Sequence, residues 1–270
     1  MKASRLISSL VPGLALGLMA FIIFGPLLNL ALWAFAEQWF YPHRLPTEWG
    51  FDFWARVFRP RAGAWTSLFN TVLVALSAVA LSMTLAVPAG YALARLAIPG
   101  RHAIMLLFLL PQAFPNLPIF VNIAAIFHQL GLNGTLIGVV LVHSLPGLVY
   151  AVWIATAAFA ALDRSIEESA RNLGASPLRV FFDITLPQAL PGLLAASVFV
   201  FLDSVDEFTG TFFVGAPEIT TLPLLMFNAS LGGNYQVAAI TALILLIPSI
   251  GFMLVIERFL KADVLSRIGR

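Results

Sequence analysis

The chain has 270 residues, of which 60% are hydrophobic and only 10% charged, with a formal net charge of +2 and a mean hydropathy of +0.94. A soluble domain carries about 25% charged residues to keep its surface wet, so this composition excludes an ordinary water-soluble fold. With no cysteine in the sequence, thiolate catalysis, cysteine-ligated metal centres and disulfides are excluded as well.

Six apolar runs, at about 8–36, 65–94, 103–127, 134–160, 191–214 and 236–257, are each long enough to span a membrane. A hydrocarbon core of about 30 Å takes ~20 helical residues to cross. The expected fold is therefore all-α with six transmembrane helices in one domain covering residues 1–270. Lys2 and Arg5 precede the first run in the manner of a signal peptide. A signal's apolar core is about 7–15 residues, however, and this run is about twice that, so residues 8–36 are expected to stay as an anchor helix. Five of the six Trp lie between Trp33 and Trp65, as expected of an outer interfacial belt. The third run is interrupted by Pro111, Pro115 and Pro118 and carries Gln112, Asn116 and Asn122, which either face a path or bond neighbouring helices. His43, His102, His128 and His143 sit in different segments without the spacing of a metal pair, so no metal site is expected and a structural role is assigned to each, with lining a path as the alternative for His143 inside the fourth run.

Lys and Arg set the orientation. With the N-terminus inside, the inner side receives Lys2, Arg5, Arg95, Arg101, Arg164, Arg171, Arg179, Arg258, Lys261, Arg267 and Arg270, eleven of the fifteen basic residues. The other four, Arg44, Arg56, Arg59 and Arg61, fall in the first outer loop. This bias places both termini in the cytoplasm. The pI near 9.3 then reflects topology, with no nucleic-acid partner implied. A phosphate-binding loop of the Walker type needs a Gly-rich turn ending in Lys, and neither Lys2 nor Lys261 follows one. The chain is expected to have no catalytic residue and to bind no ATP in that way.

The inner loop at 161–190 is polar and punctuated as two short helices. Asp163 or Ser165 opens the first and Gly174 closes it; Ser176 caps the second, with Pro177 in its first turn. Pro187 and Pro191 are expected to break the chain before it re-enters the membrane. Glu168-Ser169-Ala170, followed by Gly174 and then Ile184-Thr185-Leu186-Pro187, resembles the EAA loop of ABC importer permeases, with Ser where that family has a second Ala. The resemblance covers a core of about 65–258 and implies the type I importer permease fold. It also implies a coupling role for Glu168, Ser169, Ala170, Gly174, Ile184, Leu186 and Pro187, whose loop would insert into a cleft on a separate ATPase. A local alternative for Glu168 is a capping box with Ser165.

In the fifth run, Asp203, Asp206 and Glu207 follow at i, i+3 and i+4, so they are expected to share one helix face, near mid-membrane or slightly outward. An ionised carboxylate at that depth costs about 2.5–3.5 kcal/mol on insertion scales, and no Lys or Arg lies inside the six runs to neutralise it. A cationic cargo would supply the countercharge. Ser204-Val205-Asp206-Glu207-Phe208, then Phe212-Phe213 and Thr221-Leu222-Pro223-Leu224, is similar to the second permease of spermidine/putrescine-type importers. That resemblance implies a bacterial inner-membrane system with a homologous second permease, two ATPases that bind the ATP and Mg, and a soluble substrate-binding protein. The alternatives are a permease for another small organic solute, or a proton-coupled secondary transporter using the acids as a relay.

Overall fold

The computed structural model describes the backbone of residues 2–268 and the side chains of residues 13–258. Of the inner-face charges counted above, the side chains of Lys2, Arg5, Lys261 and Arg267 lie outside the described residues, as does Arg270. The elements are α1 (Lys2–Ala34), a two-stranded hairpin of β1 (Ala36–Gln38) and β2 (Glu48–Trp49), α2 (Asp52–Val57), α3 (Ala64–Arg95), α4 (Arg101–Leu109), α5 (Asn116–Gln129) and α6 (Leu136–Ala160). They continue with α7 (Arg164–Asn172), α8 (Pro177–Val180), α9 (Leu186–Asp206), α10 (Leu222–Leu231) and α11 (Tyr235–Ile268).

Among the described residues, five helices are long and apolar enough to cross a membrane: Gly13–Ala34, Ala64–Arg95, Leu136–Ala160, Pro177–Asp206 and Tyr235–Arg258. The sixth expected span is a broken pair. α4 runs through a 3₁₀ turn at Leu110–Ala113 and then meets α5 at 95°. Pro111, Pro115 and Pro118 lie around this corner, where missing N–H groups and fixed φ values make a straight helix expensive. A further difference is the start of the fifth span. Pro187 and Pro191 do not break the chain: α8 passes through a π turn at Phe181–Thr185 directly into α9, giving one 30-residue helix from Pro177 to Asp206. The wider turn shifts the hydrogen-bond ladder just where Pro187 has no N–H to offer, and Pro187 falls at the first positions of α9. The polar inner loop is correspondingly shorter than 161–190.

Contacts group into two compact units. One comprises residues up to Trp65 together with Leu225–Ile244. Within it the tryptophans pack on one another and on phenylalanines more than a simple belt requires. Trp33 stacks on Trp39 at 4.4 Å, Trp54 stacks on Phe35 at 5.6 Å, and Trp54 Nε1–H donates to the Ala34 carbonyl at 2.8 Å. Trp49 and Trp65 remain exposed.

The other unit, Thr66–Leu224 with Leu245–Arg270, has α6 and α9 at its centre. Ala86 and Leu93 of α3, Ala151 and Val152 of α6 and Val200 of α9 form one buried cluster. Ala94, Ala155, Phe159, Ala189 and Leu193 form a second, towards the α7 end. Phe201 stacks on Phe252 of α11 at 4.0 Å. Small residues set the spacing, as in membrane bundles where packing rather than the hydrophobic effect drives association. A side chain on Gly90 would meet Ala155 Cβ at 2.7 Å and the Thr156 backbone nitrogen at 2.9 Å, so α3 and α6 touch backbone to backbone there.

Candidate functional site

Two regions of the second unit carry polar chemistry. The first follows α6. Asp163 is the N-cap of α7, its carboxylate accepting from the Ser165 N–H at 2.9 Å. That backbone hydrogen bond holds the exposed Asp163 carboxyl below its ordinary value. The cap is in place at neutral pH and is lost only as pH falls through the lowered value. With Asp163 in this role, Ser165 is not the N-cap, and the Ser165–Glu168 capping box does not form. α7 closes on Gly174 at φ +90°, with Gly174 N–H donating to Arg171 O at 2.9 Å and Ala175 N–H to Ala170 O at 3.1 Å. This reciprocal pair is the Schellman arrangement. Ser176 Oγ accepts from Arg179 N–H at 3.3 Å and Pro177 opens α8.

The seven residues of the recognised loop divide between two environments. Glu168, Ser169 and Gly174 are exposed, Ala170 is half-buried, and beside them Leu173 is 89% and Leu178 72% exposed. Ile184 and Leu186 are half-buried instead, Leu186 packing against the Ala94–Phe159–Leu193 cluster, while Pro187 is exposed. Phe181 seats the π turn edge-on to Tyr91 at 4.9 Å. One half of the motif faces outwards and the other half anchors the root of α9.

Sequence reasoning missed the residue next to Glu168. Glu167 is buried and pairs with Arg95 at the end of α3, Oε1 lying 3.0 Å from Nε and from Nη2. Only 5% and 9% of the Arg95 and Glu167 side chains are exposed. Arg95 Nη2 also donates to Leu162 O at 3.1 Å, and Arg164 Nη2 donates back to Ala94 O at 2.9 Å. Removing one partner of such a buried pair costs about 3–5 kcal/mol. The available signal was the Glu167-Glu168 doublet: neighbours on a helix point about 100° apart, so both cannot face the same partner.

The second region is the end of α9. Asp203, Asp206 and Glu207 gather at the last turn of α9 and the residue that follows it. α9 ends at Asp206, and Glu207 is extended at φ −75°, ψ 118°. Its carboxylate accepts from Gly210 N–H at 2.8 Å, capping the turns that lead into a second π segment at Thr211–Gly215. The cluster thus lies at the terminus of the 30-residue helix, not at its middle. Asp206 is exposed, Asp203 half-buried, and Asp203 Oδ2 is a buried oxygen with no hydrogen-bond partner among the described residues. Neither ion pair found among the described residues involves these three acids.

His143 explains how the segment is held. It is fully buried in α6, with Nδ1 3.0 Å from Ser204 Oγ and Nε2 2.7 Å from Thr211 Oγ1, so it spans the break between α9 and the π segment. The structural role expected for it holds. Gln112 and Asn116, at the corner between α4 and α5, line an apolar cleft of about 570 Å³ against Leu145, Pro146 and Val149 of α6. Asn122 instead donates to Pro118 O of its own helix at 2.8 Å.

Residues 86–262 match the family described as "Binding-protein-dependent transport system inner membrane component". Among characterised relatives, the putrescine transport system permease protein PotI of Escherichia coli (strain K12) is 29% identical over 245 residues, covering 83% of this chain and 81% of that protein. The trehalose transport system permease protein SugB of Mycobacterium tuberculosis (strain CDC 1551 / Oshkosh) is 26% identical over 227 residues, covering 82% of each. The fold is that of a chain in the bacterial ABC transporter that imports the acidic polysaccharide alginate, with a TM-score of 0.72 at 22% identity over 95% of this chain and 97% of that one.

Proposed function

The chain belongs to the binding-protein-dependent transport system inner membrane components, and on that premise we propose that it forms half of the path for a small cationic solute of the di- or polyamine class. It is a multi-pass permease subunit of an ABC importer and not an enzyme; ATP is hydrolysed by separate ATPase subunits. Membership sets aside the proton-coupled carrier as the working alternative. In this reading a homologous permease completes the path, two ATPases hold the ATP and Mg, and a soluble receptor delivers the cargo. Both termini lie on the cytoplasmic side of the bacterial inner membrane, and the exposed half of the loop, Glu168, Ser169, Gly174 and Leu173, docks on an ATPase. Ile184, Leu186 and Pro187 seat the root of α9.

One observation carries the cargo assignment. Asp203, Asp206 and Glu207 converge at the end of α9 with an unpartnered buried oxygen and no basic side chain paired to them among the described residues. Ammonium groups satisfy such oxygens through charge-assisted hydrogen bonds. The likeness to PotI supports the same class. The second reading, a small neutral sugar, is favoured by the comparable likeness to SugB. Proteoliposomes holding the whole importer and its receptor are expected to take up labelled putrescine with ATP, insensitive to an uncoupler. Uptake of trehalose without putrescine would replace the cationic cargo with the sugar.

The orientation has a direct check, because the chain lacks cysteine. A single Leu173→Cys variant is expected to react with a membrane-impermeant maleimide in inverted vesicles and to stay unlabelled in intact spheroplasts. The reverse pattern would invert the topology.

A further inference from the structure

We propose that Arg95 and Glu167 are positioning residues for coupling: their ion pair makes α7 and the inner end of α3 move as one body, so that a displacement imposed on α7 reaches α3 as well as α9. The proposal rests on the reading of α7 as the ATPase-docking helix. Its own basis is geometric. α7 is joined to α9 through the Gly174 turn and the continuous helix that begins at Pro177. To α3, seventy residues earlier in the chain, it is joined by side chains. Arg95 holds Glu167 Oε1 at 3.0 Å and Leu162 O at 3.1 Å, while Arg164 holds Ala94 O at 2.9 Å.

The exchange is reciprocal. An arginine from each segment bonds the other, and Arg164 satisfies a carbonyl in the last turn of α3 that has no partner within its own helix. Guanidinium suits this task, because its planar fork fixes direction as well as distance. Being almost wholly buried, the pair escapes the screening that makes exposed pairs slack. Glu167 points inwards and Glu168 outwards, so the two acids divide the work: one faces the partner and its neighbour grips the span. The exposed pair Arg179–Asp183, at 3.6 Å in α8 and the π turn, has none of these properties.

The test uses the complete importer in proteoliposomes, with three quantities read for each variant: ATPase retained on the purified permease pair, basal ATP hydrolysis, and solute carried per ATP. Arg95→Gln and Glu167→Gln are expected to retain the ATPase and its basal rate but to lose at least about tenfold in solute per ATP. The exchange Arg95→Glu with Glu167→Arg is expected to recover part of that loss, which a purely structural role would not predict. Arg95→Met with Glu167→Met removes both charges while keeping side-chain volume, guarding against failed folding through a lone buried charge. Its assembly with low solute per ATP supports the proposal. Normal coupling in that variant, or failure of every variant to assemble, overturns it. Glu168→Lys with Leu173→Glu separates this proposal from its premise. If that variant still binds and stimulates the ATPase normally, the docking assignment of α7 has failed. If it releases the ATPase while the Arg95 and Glu167 variants couple normally, only the ion-pair proposal has failed.

Discussion

Replacing Asp203 and Asp206 with Asn is expected to lower putrescine uptake by two to four orders of magnitude while leaving the importer assembled. Each carboxylate offers an ammonium a hydrogen bond to a charged group, worth about 1.5–3 kcal/mol net. Losing two removes about 3–6 kcal/mol from the step in which the cargo leaves water, and each ~1.4 kcal/mol is tenfold in rate. Asn keeps the volume and hydrogen-bonding capacity of Asp, so His143 and its links to Ser204 and Thr211 should hold. Glu207 calls for a separate variant because its carboxylate caps the Gly210 N–H. Glu207→Gln retains an acceptor oxygen and should assemble normally; Glu207→Ala does not, and should lower assembly yield. The measurement is uptake normalised to assembled complex, with receptor affinity for putrescine as an unaffected control. Wild-type uptake by an assembled Asp203→Asn/Asp206→Asn complex would remove these acids from the path.

The second large effect is expected from Gly174→Pro, which should reduce cargo-stimulated ATP hydrolysis at least about tenfold without preventing membrane insertion. Gly174 stands at φ +90°, and proline is fixed near −65°. The substitution also deletes the N–H that bonds Arg171 O, and it misdirects Ala175, which bonds Ala170 O. Both closures of α7 are lost together, and with them the placement of Glu168 and Leu173. A graded series makes the cause specific. Gly174→Asn, which visits the left-handed region more readily than other residues, should be mild, and Gly174→Val severe. Stimulation by Gly174→Pro equal to wild type would show that this turn does not position the coupling surface.

The local signals in the loop were legible because they act within a few residues. Gly174, Ser176 and Pro177 occupy the places their backbone chemistry favours, and only the choice between Asp163 and Ser165 had to wait for coordinates. Signals that depend on distant segments were not. Glu167 sits between Arg164 and Arg171 in sequence, and nothing local points to Arg95, 72 positions earlier. Glu207 follows Asp206 without a glycine or proline to end the helix. The helix stops because Glu207 Oε1 captures the Gly210 N–H and His143 clamps both sides of the break. Prolines were a reliable signal in one place and a misleading one in another. Pro187 and Pro191 lie within a helix whose π turn absorbs the missing donor, whereas Pro111, Pro115 and Pro118 turn the chain through 95°.

The unbroken run from Pro177 to Asp206 has a mechanical consequence. Thirty residues at 1.5 Å each make a rod of about 45 Å, with the Gly174 turn and α7 beside one end and the acids at the other. A tilt of about 5° about its root would swing the acidic end by roughly 4 Å on that geometry, more than one hydrogen-bond length. The three acids, carried on that one helix end, move together through the arc, and no backbone unfolds. A lever of this kind needs no signal relayed from residue to residue: a small angular stroke at one end becomes a displacement of several ångström at the other.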